Sequence, residues 1–279
     1  MKAKRYFYDI IDAVKRPEMN ILPGNLAYYI VLALIPIITI IVYVASLFSI
    51  SIDLVIELIN KVIPDGVAKI VVDAISGKGF DESVGLFIVL ALIISSNGTY
   101  AMIKASNTLY KIENAEEMKD RIKSIIILFI IILLFIFLLV VPLFGNQILN
   151  LLSNIDGLDT FIQDITILYN GIKWPMTFLI IYFNIKLIYT ISPSKSIKSS
   201  TTSYGAMTTT FLWVLVTAIF TYYLKHFARY DILYGNLSSL IILMIWVYLL
   251  CYIFVLGMAI NSTKYNKNEK DNNKSEYIK

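Results

Sequence analysis

Long apolar blocks alternate with shorter polar connectors along the chain, and this alternation predicts helices that cross a membrane. A bilayer core of roughly 30 Å is spanned by about 20 helical residues, and six blocks match that requirement. They cover residues 24–48, 84–103, 124–145, 171–190, 204–223 and 235–260. Long apolar runs of this kind are typical of helices, which satisfy their own backbone polar groups in lipid. We therefore predict an all-α integral membrane protein built on a six-helix bundle.

The first span carries a proline near its middle and polar residues at one end. Pro36 has no N–H to donate, and its ring crowds the carbonyl group four residues earlier, so we predict a kink in this helix. Lipid tolerates broken backbone hydrogen bonding only where neighbouring helices or a water-filled cavity cover it. The first span is therefore predicted to be an inner element around which the other helices pack.

Three further segments lie outside the predicted spans. Residues 1–20 combine basic residues with apolar residues at helical spacing, which predicts a cytoplasmic amphipathic helix at the membrane surface or against the bundle. Residues 50–81 have helical spacing on either side of Pro64-Asp65-Gly66, which predicts a short extracytoplasmic helical hairpin. Residues 262–279 are rich in Lys and Asn without periodicity, which predicts a disordered cytoplasmic tail. The six-span domain then occupies residues 21–261.

Basic residues indicate which side of the membrane each connector occupies. They concentrate in the N-terminal segment, in the connectors at 104–123 and 186–203, and in the C-terminal tail, whereas the alternate connectors hold few. Positive residues gather on the cytoplasmic side of membrane proteins. We therefore predict a multi-pass protein of the plasma membrane with both termini in the cytoplasm, which agrees with an even number of spans.

Composition narrows the chemistry that the chain can support. It is 58% hydrophobic and 16% charged, against about 25% charged residues in a typical soluble domain. Cys251 is the single cysteine and His226 the single histidine, which excludes an intrachain disulfide and a Cys-rich or His-rich metal site. We predict no catalytic residues, no metal and no cofactor. The net charge of +4 lies beside the spans and does not predict a nucleic-acid partner.

Polar side chains within the spans indicate a candidate functional surface, because such groups are costly when they face lipid. We predict that they line a polar groove along the first, second and sixth helices. The candidate groove-lining residues are Asn25, Tyr28, Tyr29, Pro36, Asn97, Asn107, Asn236 and Ser239. The alternative is that these neutral side chains hydrogen-bond one helix to another, at about 0.6 kcal/mol per pair, which is their commoner role.

Several stretches together carry a family resemblance. The first is Leu26-Ala27-Tyr28-Tyr29 followed by Pro36, and the last comprises Tyr234-Gly235-Asn236-Leu237, Trp246-Val247-Tyr248 and Gly257-Met258-Ala259-Ile260-Asn261. Between them lie Ser106-Asn107-Thr108-Leu109-Tyr110 and Ile191-Ser192-Pro193. In this order and spacing they resemble the YihY/BrkB family of bacterial inner-membrane proteins, formerly labelled ribonuclease BN-like. Ala33 departs from the family pattern, in which Ser is common. The resemblance implies a six-helix plasma-membrane protein with cytoplasmic termini.

Two functions stay open at this point. The favoured one is a non-enzymatic protein that transports or binds a small solute or lipid through the polar groove, with membrane lipids and a small solute as its partners. The alternative is an envelope scaffold that uses the N-terminal helix and the extracytoplasmic hairpin. A ribonuclease role is rejected, because metal-dependent phosphodiester cleavage needs clustered carboxylates or histidines and the acidic residues are scattered over loops. The sequence does not define an oligomeric state.

Overall fold

The computed structural model describes residues 2–47, 56, 84–113, 115–133, 159–227 and 229–276. Within these ranges the regular secondary structure is helical and contains no strand, so the all-α class is confirmed for the described part of the chain. The helices are α1 (Lys2–Val14), α2 (Leu22–Leu47), α3 (Val84–Tyr110), α4 (the helical segment at 117–133), α5 (Asp159–Ile191), α6 (Ser199–His226), α7 (Tyr230–Tyr234) and α8 (Ser238–Glu276). Two 3-10 helices, Pro17–Asn20 and Gly235–Leu237, precede α2 and α8.

Three helices of the described part are long and apolar enough to cross a membrane. The qualifying stretches are Trp174–Ile191, Ser199–His226 and Ser238–Asn266, in α5, α6 and α8. Helices α2 and α3 cover the predicted first and second spans, and α4 covers the start of the third. The count of six spans therefore stays a prediction. The predicted hairpin at 50–81 lies outside the described residues, apart from residue 56.

Helix α8 is the central element of the described bundle. It packs against α1, α2, α3 and α6, and every residue from 253 to 262 is buried. Helix α2, predicted to be the inner element, buries Leu26 and Ala33 but leaves Tyr28 61% exposed. It is one continuous helix with Pro36 inside it, and the kink at that residue stays a prediction. The central place falls to α8 because its small residues allow neighbouring helices to approach on several sides.

The C-terminal tail differs from the sequence expectation. Helix α8 continues to Glu276, whereas disorder is predicted from residue 262. Two contacts join residues 265 and 266 of α8 to the end of α3. The Tyr265 ring lies 5.5 Å from the Tyr110 ring, and Asn266 Nδ2 donates to the Leu109 carbonyl at 3.4 Å. Extending an existing helix needs no new nucleus, so a polar sequence can continue it.

Helices α6 and α8 approach each other closely at two glycines. A Cβ atom on Gly205 would overlap the carbonyl oxygen of Gly257 and the amide of Asn261. The backbone N–H of Gly205 also donates to Asn261 Oδ1 at 2.8 Å. Without side chains at these positions, backbone and amide groups of the two helices come into direct contact, as in other membrane helix pairs.

A buried tyrosine joins α5 to the same contact. The Tyr189 hydroxyl lies 2.7 Å from Thr209 Oγ1 of α6 and donates to the Phe254 carbonyl of α8 at 2.6 Å. A Cβ atom on Gly257 would overlap both the Tyr189 and Thr209 hydroxyls. Helices α5, α6 and α8 therefore meet at Gly257. Because this residue has no side chain, the hydroxyl groups of Tyr189 and Thr209 both fit between the helices.

We expect Gly205→Ala to lower the thermal stability of the purified protein in detergent. Overpacking a close contact costs about 1–3 kcal/mol, and here the obstacles are backbone and a hydrogen-bonded amide. Gly171→Ala is the matched control, because no atom lies within 4 Å of a Cβ built at that helical position. Equal melting temperatures for the two variants would contradict the close approach of α6 and α8.

Candidate functional site

A buried hydrogen-bonded cluster joins three elements at one end of the bundle. Asn107 of α3 donates through Nδ2 to Asp120 Oδ2 of α4 at 3.1 Å and to Ser194 Oγ, in the loop after α5, at 2.7 Å. The Ser194 backbone N–H donates to Asn107 Oδ1 at 2.8 Å, and its hydroxyl donates to Asp120 Oδ1. Every polar atom of the Asn107 side chain is thus engaged. We call this group the Asn107–Asp120–Ser194 cluster.

A partly buried lysine, Lys123, lies beside this cluster. Lys123 Nζ donates to the carbonyl oxygen of Pro193, next to Ser194. Burial lowers the pKa of Lys123, and the charge of Asp120 opposes that shift. Asp120 itself is 2% exposed and accepts two hydrogen bonds. Burying a polar group is costly unless it is hydrogen-bonded, so the bonds from Asn107 and Ser194 offset the burial of the Asp120 side chain.

The N-terminal segment is attached to α8 at the same end of that helix. Arg16 Nη1 donates to Ser262 Oγ at 2.7 Å, and Ser262 donates in turn to the Ala259 carbonyl at 3.0 Å. Ala13 and Met19 on either side of Arg16 are buried. The basic segment before α2 therefore contacts the C-terminal half of α8.

Helix α3 carries buried hydroxyl groups of two kinds. Thr99 Oγ1 donates to the Ser124 carbonyl of α4 at 2.7 Å, and Ser96 Oγ donates to the Ile93 carbonyl at 2.8 Å. Ser95 and Ser106 are 1% and 0% exposed, and their hydroxyls have no hydrogen-bond partner among the described residues. The hydroxyl of Tyr110, at the end of α3, is likewise buried without a described partner, so two of the buried hydroxyls form hydrogen bonds and three do not.

The structure places the predicted groove residues of α2 on different sides of that helix. Asn25 is exposed, as is Tyr28, whose ring lies 5.3 Å from that of Tyr29. Tyr29 is half-buried, and its carbonyl oxygen lies 3.6 Å from a Cβ built on Gly98 of α3. Pro36 is also half-buried. Of these residues, Tyr29 lies at the contact between α2 and α3, and Asn25 and Tyr28 face outward.

The two predicted residues of α3 also separate. Asn107 is buried in the cluster described above, whereas Asn97 is half-buried. Residues two positions apart on a helix face nearly opposite directions, so Asn97 does not share a side with Ser95 or Thr99. Asn97 therefore lies on a more exposed side of the helix than the buried hydroxyls.

The two predicted residues near the start of α8 lie far from the cluster. Asn236 is in the 3-10 helix Gly235–Leu237, and its side chain is outside the described residues. Ser239 is half-buried in the first turn of α8. At 1.5 Å per residue it lies roughly 35 Å along the helix from Ser262. The structure does not gather the eight predicted residues into one site, and their role as a groove lining stays a prediction.

Sequence reasoning missed the partners that make the cluster. Asp120 lies in a mixed-charge connector and Ser194 in a Ser/Lys-rich loop, so neither differs from its surroundings in the sequence. Arg16 and Ser262 are separated by 246 positions. The only available signal was indirect: Asn107 belongs to one of the stretches that carry the family resemblance, and Ser194 directly follows another.

The helices, their apolar stretches and their buried polar contacts define an α-helical membrane protein. The chain belongs to the Virulence factor BrkB family, whose family model matches residues 10–278. The resemblance to the YihY/BrkB family is thereby confirmed over most of the chain.

Individual relatives agree with this assignment. The chain is 27% identical over 249 residues to the "Putative ribonuclease-like protein YfkH" of Bacillus subtilis, which covers 88% of this chain and 89% of that protein. It is 24% identical over 260 residues to a "UPF0761 membrane protein" of Vibrio atlanticus, which covers 88% of this chain and 78% of the relative. No solved structure matches the chain.

We expect Asn107→Ala to destabilise the protein by about 1–3 kcal/mol, the cost of leaving buried polar partners unsatisfied. The substitution removes hydrogen bonds to Asp120 and Ser194 at once. Thr108→Ala is the matched control, since that exposed hydroxyl bonds only to the Lys104 carbonyl of its own helix in the described structure. Thermal unfolding in detergent measures the stability of both variants. Equal melting temperatures would show that the cluster does not stabilise the protein.

The buried hydroxyl of Tyr110 should make the stability of the protein depend on pH in the alkaline range. Burial raises the pKa of its hydroxyl above the ordinary value of 10.0. A raised folded-state pKa contributes stability that is complete below the unfolded pKa and is lost as pH rises above it. We therefore expect Tyr110→Phe to resist unfolding better than the parent protein above about pH 10, by up to about 1.4 kcal/mol per pH unit.

The comparison with Tyr110→Phe needs a phenol that is already in solvent. Tyr8→Phe is the matched control, because the Tyr8 side chain is 55% exposed. Below about pH 9 the Tyr110→Phe protein should be at least as stable as the parent, because the hydroxyl that it lacks has no hydrogen-bond partner among the described residues. Parallel pH curves for Tyr110→Phe and the parent would show that Tyr110 is not buried in solution.

Proposed function

We propose that this chain is a six-span protein of the bacterial plasma membrane that transports or binds a small solute or lipid through a polar groove. The observation that carries the proposal is the buried, unpartnered hydroxyl of Ser95, one turn from the place where α3 packs on α2. Ser95 is 1% exposed and its hydroxyl has no partner among the described residues, and a Cβ atom built on Gly98 would lie 3.6 Å from the Tyr29 carbonyl oxygen of α2.

An unpaired hydroxyl in this position requires an explanation. Burying such a group without a hydrogen bond costs about 1–3 kcal/mol. The cost is offset where a water molecule or a polar solute supplies the missing bond. Ser106, about three turns further along α3, also has a buried hydroxyl without a partner among the described residues. A groove that follows this side of α3 would present both hydroxyls to a hydrogen-bonding occupant.

Contacts at one end of the bundle support the proposed placement of both termini in the cytoplasm. The N-terminal segment, the connector after α3, the loop after α5 and the end of α8 meet there through Arg16, Asn107, Ser194 and Ser262. All four are segments in which the basic residues concentrate. The positive-inside tendency supports assigning this end, with both termini, to the cytoplasm.

The proposal assigns no catalytic role. The word ribonuclease-like occurs in the name of one relative, and a metal-dependent nuclease would need grouped carboxylates or histidines. Among the residues that the structure describes, no three His, Cys, Asp or Glu side chains gather where a metal ion could bind. The polar groups that are buried and unpartnered are hydroxyl, indole and amide groups, which suit binding by hydrogen bonds.

Flux through liposomes tests the proposal. After a screen has identified a solute or lipid that the purified protein moves or binds, we expect Ser95→Ala to reduce that activity several-fold. Its melting temperature should be unchanged or raised, because the lost hydroxyl makes no hydrogen bond within the described structure. Thr108→Ala serves as the control, since it removes an exposed hydroxyl outside the proposed groove.

Two outcomes would count against the groove. Unchanged flux in Ser95→Ala would remove the hydroxyl from the path of the solute. A parent protein that neither moves nor binds any compound in the screen, but forms a stable complex with an envelope protein, would favour a scaffold.

A further inference from the structure

Two cationic side chains meet at one tyrosine ring where α3 and α4 lie side by side. Lys104 Nζ is 5.1 Å from the centroid of the Tyr100 ring, and Arg121 Cζ is 5.3 Å from the same centroid. Three other tyrosines in the described residues carry one cation each, and Tyr100 is the one ring there that carries two. We call Tyr100, Lys104 and Arg121 the Tyr100 clamp.

The positive charge of the clamp is poorly balanced by nearby carboxylates. Glu117 Oε1 lies 3.7 Å from Lys104 Nζ, but the Glu117 side chain is 83% exposed, and exposed pairs of this kind contribute little. Asp120 is turned into the buried cluster, where Asn107 and Ser194 occupy its carboxylate. Within the described ranges Arg121 forms no salt bridge. The clamp therefore has capacity for an anion.

Exposed apolar side chains lead from the clamp along both helices. On α3 they occupy the same row as Tyr100 and Lys104 at spacings of three or four residues, and on α4 they continue the row of Arg121. The exposed members are Val89 and Ile93 on α3 and Ile125 and Phe129 on α4. The two helices are held together by the bond from Thr99 to the Ser124 carbonyl. Asn97 lies in the α3 row, between the apolar residues and the clamp.

We propose that the Tyr100 clamp binds the phosphate group of an anionic phospholipid whose acyl chains lie along these apolar rows. Guanidinium and ammonium groups are the side chains that recognise phosphate. Basic pockets between membrane helices at the cytoplasmic side hold anionic headgroups. Tyr100 and Lys104 lie on either side of residue 103, where the predicted second span ends, and Arg121 lies just before the predicted third span, so the clamp is expected at the depth of the headgroups. The site is on the exposed side of α3, away from Ser95, so it goes beyond the solute groove.

Lipid selectivity of the full-length protein in detergent tests the proposal directly. We expect phosphatidylglycerol to raise the melting temperature in a saturable titration, and phosphatidylcholine at equal concentration to have little effect. Inorganic phosphate should not reproduce the shift, because it lacks the acyl chains that would contact α3 and α4. Equal shifts from both lipids would overturn the proposal in favour of unselective lipid contact, and an equal shift from inorganic phosphate would reduce the site to a free-anion site.

Substitutions locate the effect on the clamp. The double variant Lys104→Gln with Arg121→Gln should weaken the apparent affinity for phosphatidylglycerol about tenfold or more, because two cations near the headgroups are removed. Lys119→Gln is the matched control: it removes one cation from α4, two positions from Arg121, where the ammonium group pairs with Glu116 at 2.7 Å. Its affinity should stay within about twofold of the parent value, as expected for an exposed pair.

The remaining outcomes are also decisive. A double variant that keeps the parent affinity, or a Lys119→Gln protein that loses as much, would show that phosphatidylglycerol responds to diffuse charge and not to the clamp. If the double variant does not fold, Lys104→Gln alone carries the test. The Lys104 side chain is 40% exposed, so its replacement should be tolerated while the affinity still falls several-fold.

Discussion

A polar group that leaves water is costly unless it finds a hydrogen-bond partner inside the bundle, and this cost organises much of the described structure. Tyr189 offsets it by contacting α6 and α8 together, which is possible because Gly257 has no side chain. Asn107 offsets it by joining α4 and the loop after α5 to α3. In lipid the apolar surfaces of helices supply little driving force for association, so small residues and buried hydrogen bonds determine how helices pair. The central place of α8 follows from this, because its glycine and amide groups accept close neighbours.

The sequence predicted the helical class and the apolar stretches that lie in α5, α6 and α8, because both depend on local composition. It could not predict where the helices end. Helix α5 begins at Asp159, well before the predicted span at 171, and α8 continues past residue 260 to Glu276. Polar residues extend a helix that the apolar residues have already formed, at little cost. Hydropathy marks the part of a helix that lies in lipid and not the whole helix.

The candidate site could be predicted only in part, because its partners are distant in the sequence. Asn107 was recognisable as a polar residue beyond an apolar span. Its partner Ser194 is 87 positions away and nothing in the local sequence distinguishes it. Tyr28 and Leu26 are two positions apart on α2, yet Tyr28 is exposed and Leu26 is buried. Which side of α2 faces inward depends on the neighbouring helix, and no single-helix pattern contains that information.

Three sides of helix α3 lie in three different environments. Its row at Gly98 contacts α2, its row at Thr99 and Asn107 bonds to α4, and its row at Ile93, Tyr100 and Lys104 is open to the surroundings. Adjacent residues differ by about 100° around the helix axis, so neighbours in the sequence belong to different rows. Polar residues that look like one cluster in the sequence between Ser95 and Asn107 are therefore divided among a helix contact, a buried hydrogen-bond network and an exposed face. The effect of a substitution in this stretch depends on its row: one at Thr99 tests the contact with α4, one at Ser95 tests the buried interior, and one at Lys104 tests the exposed face.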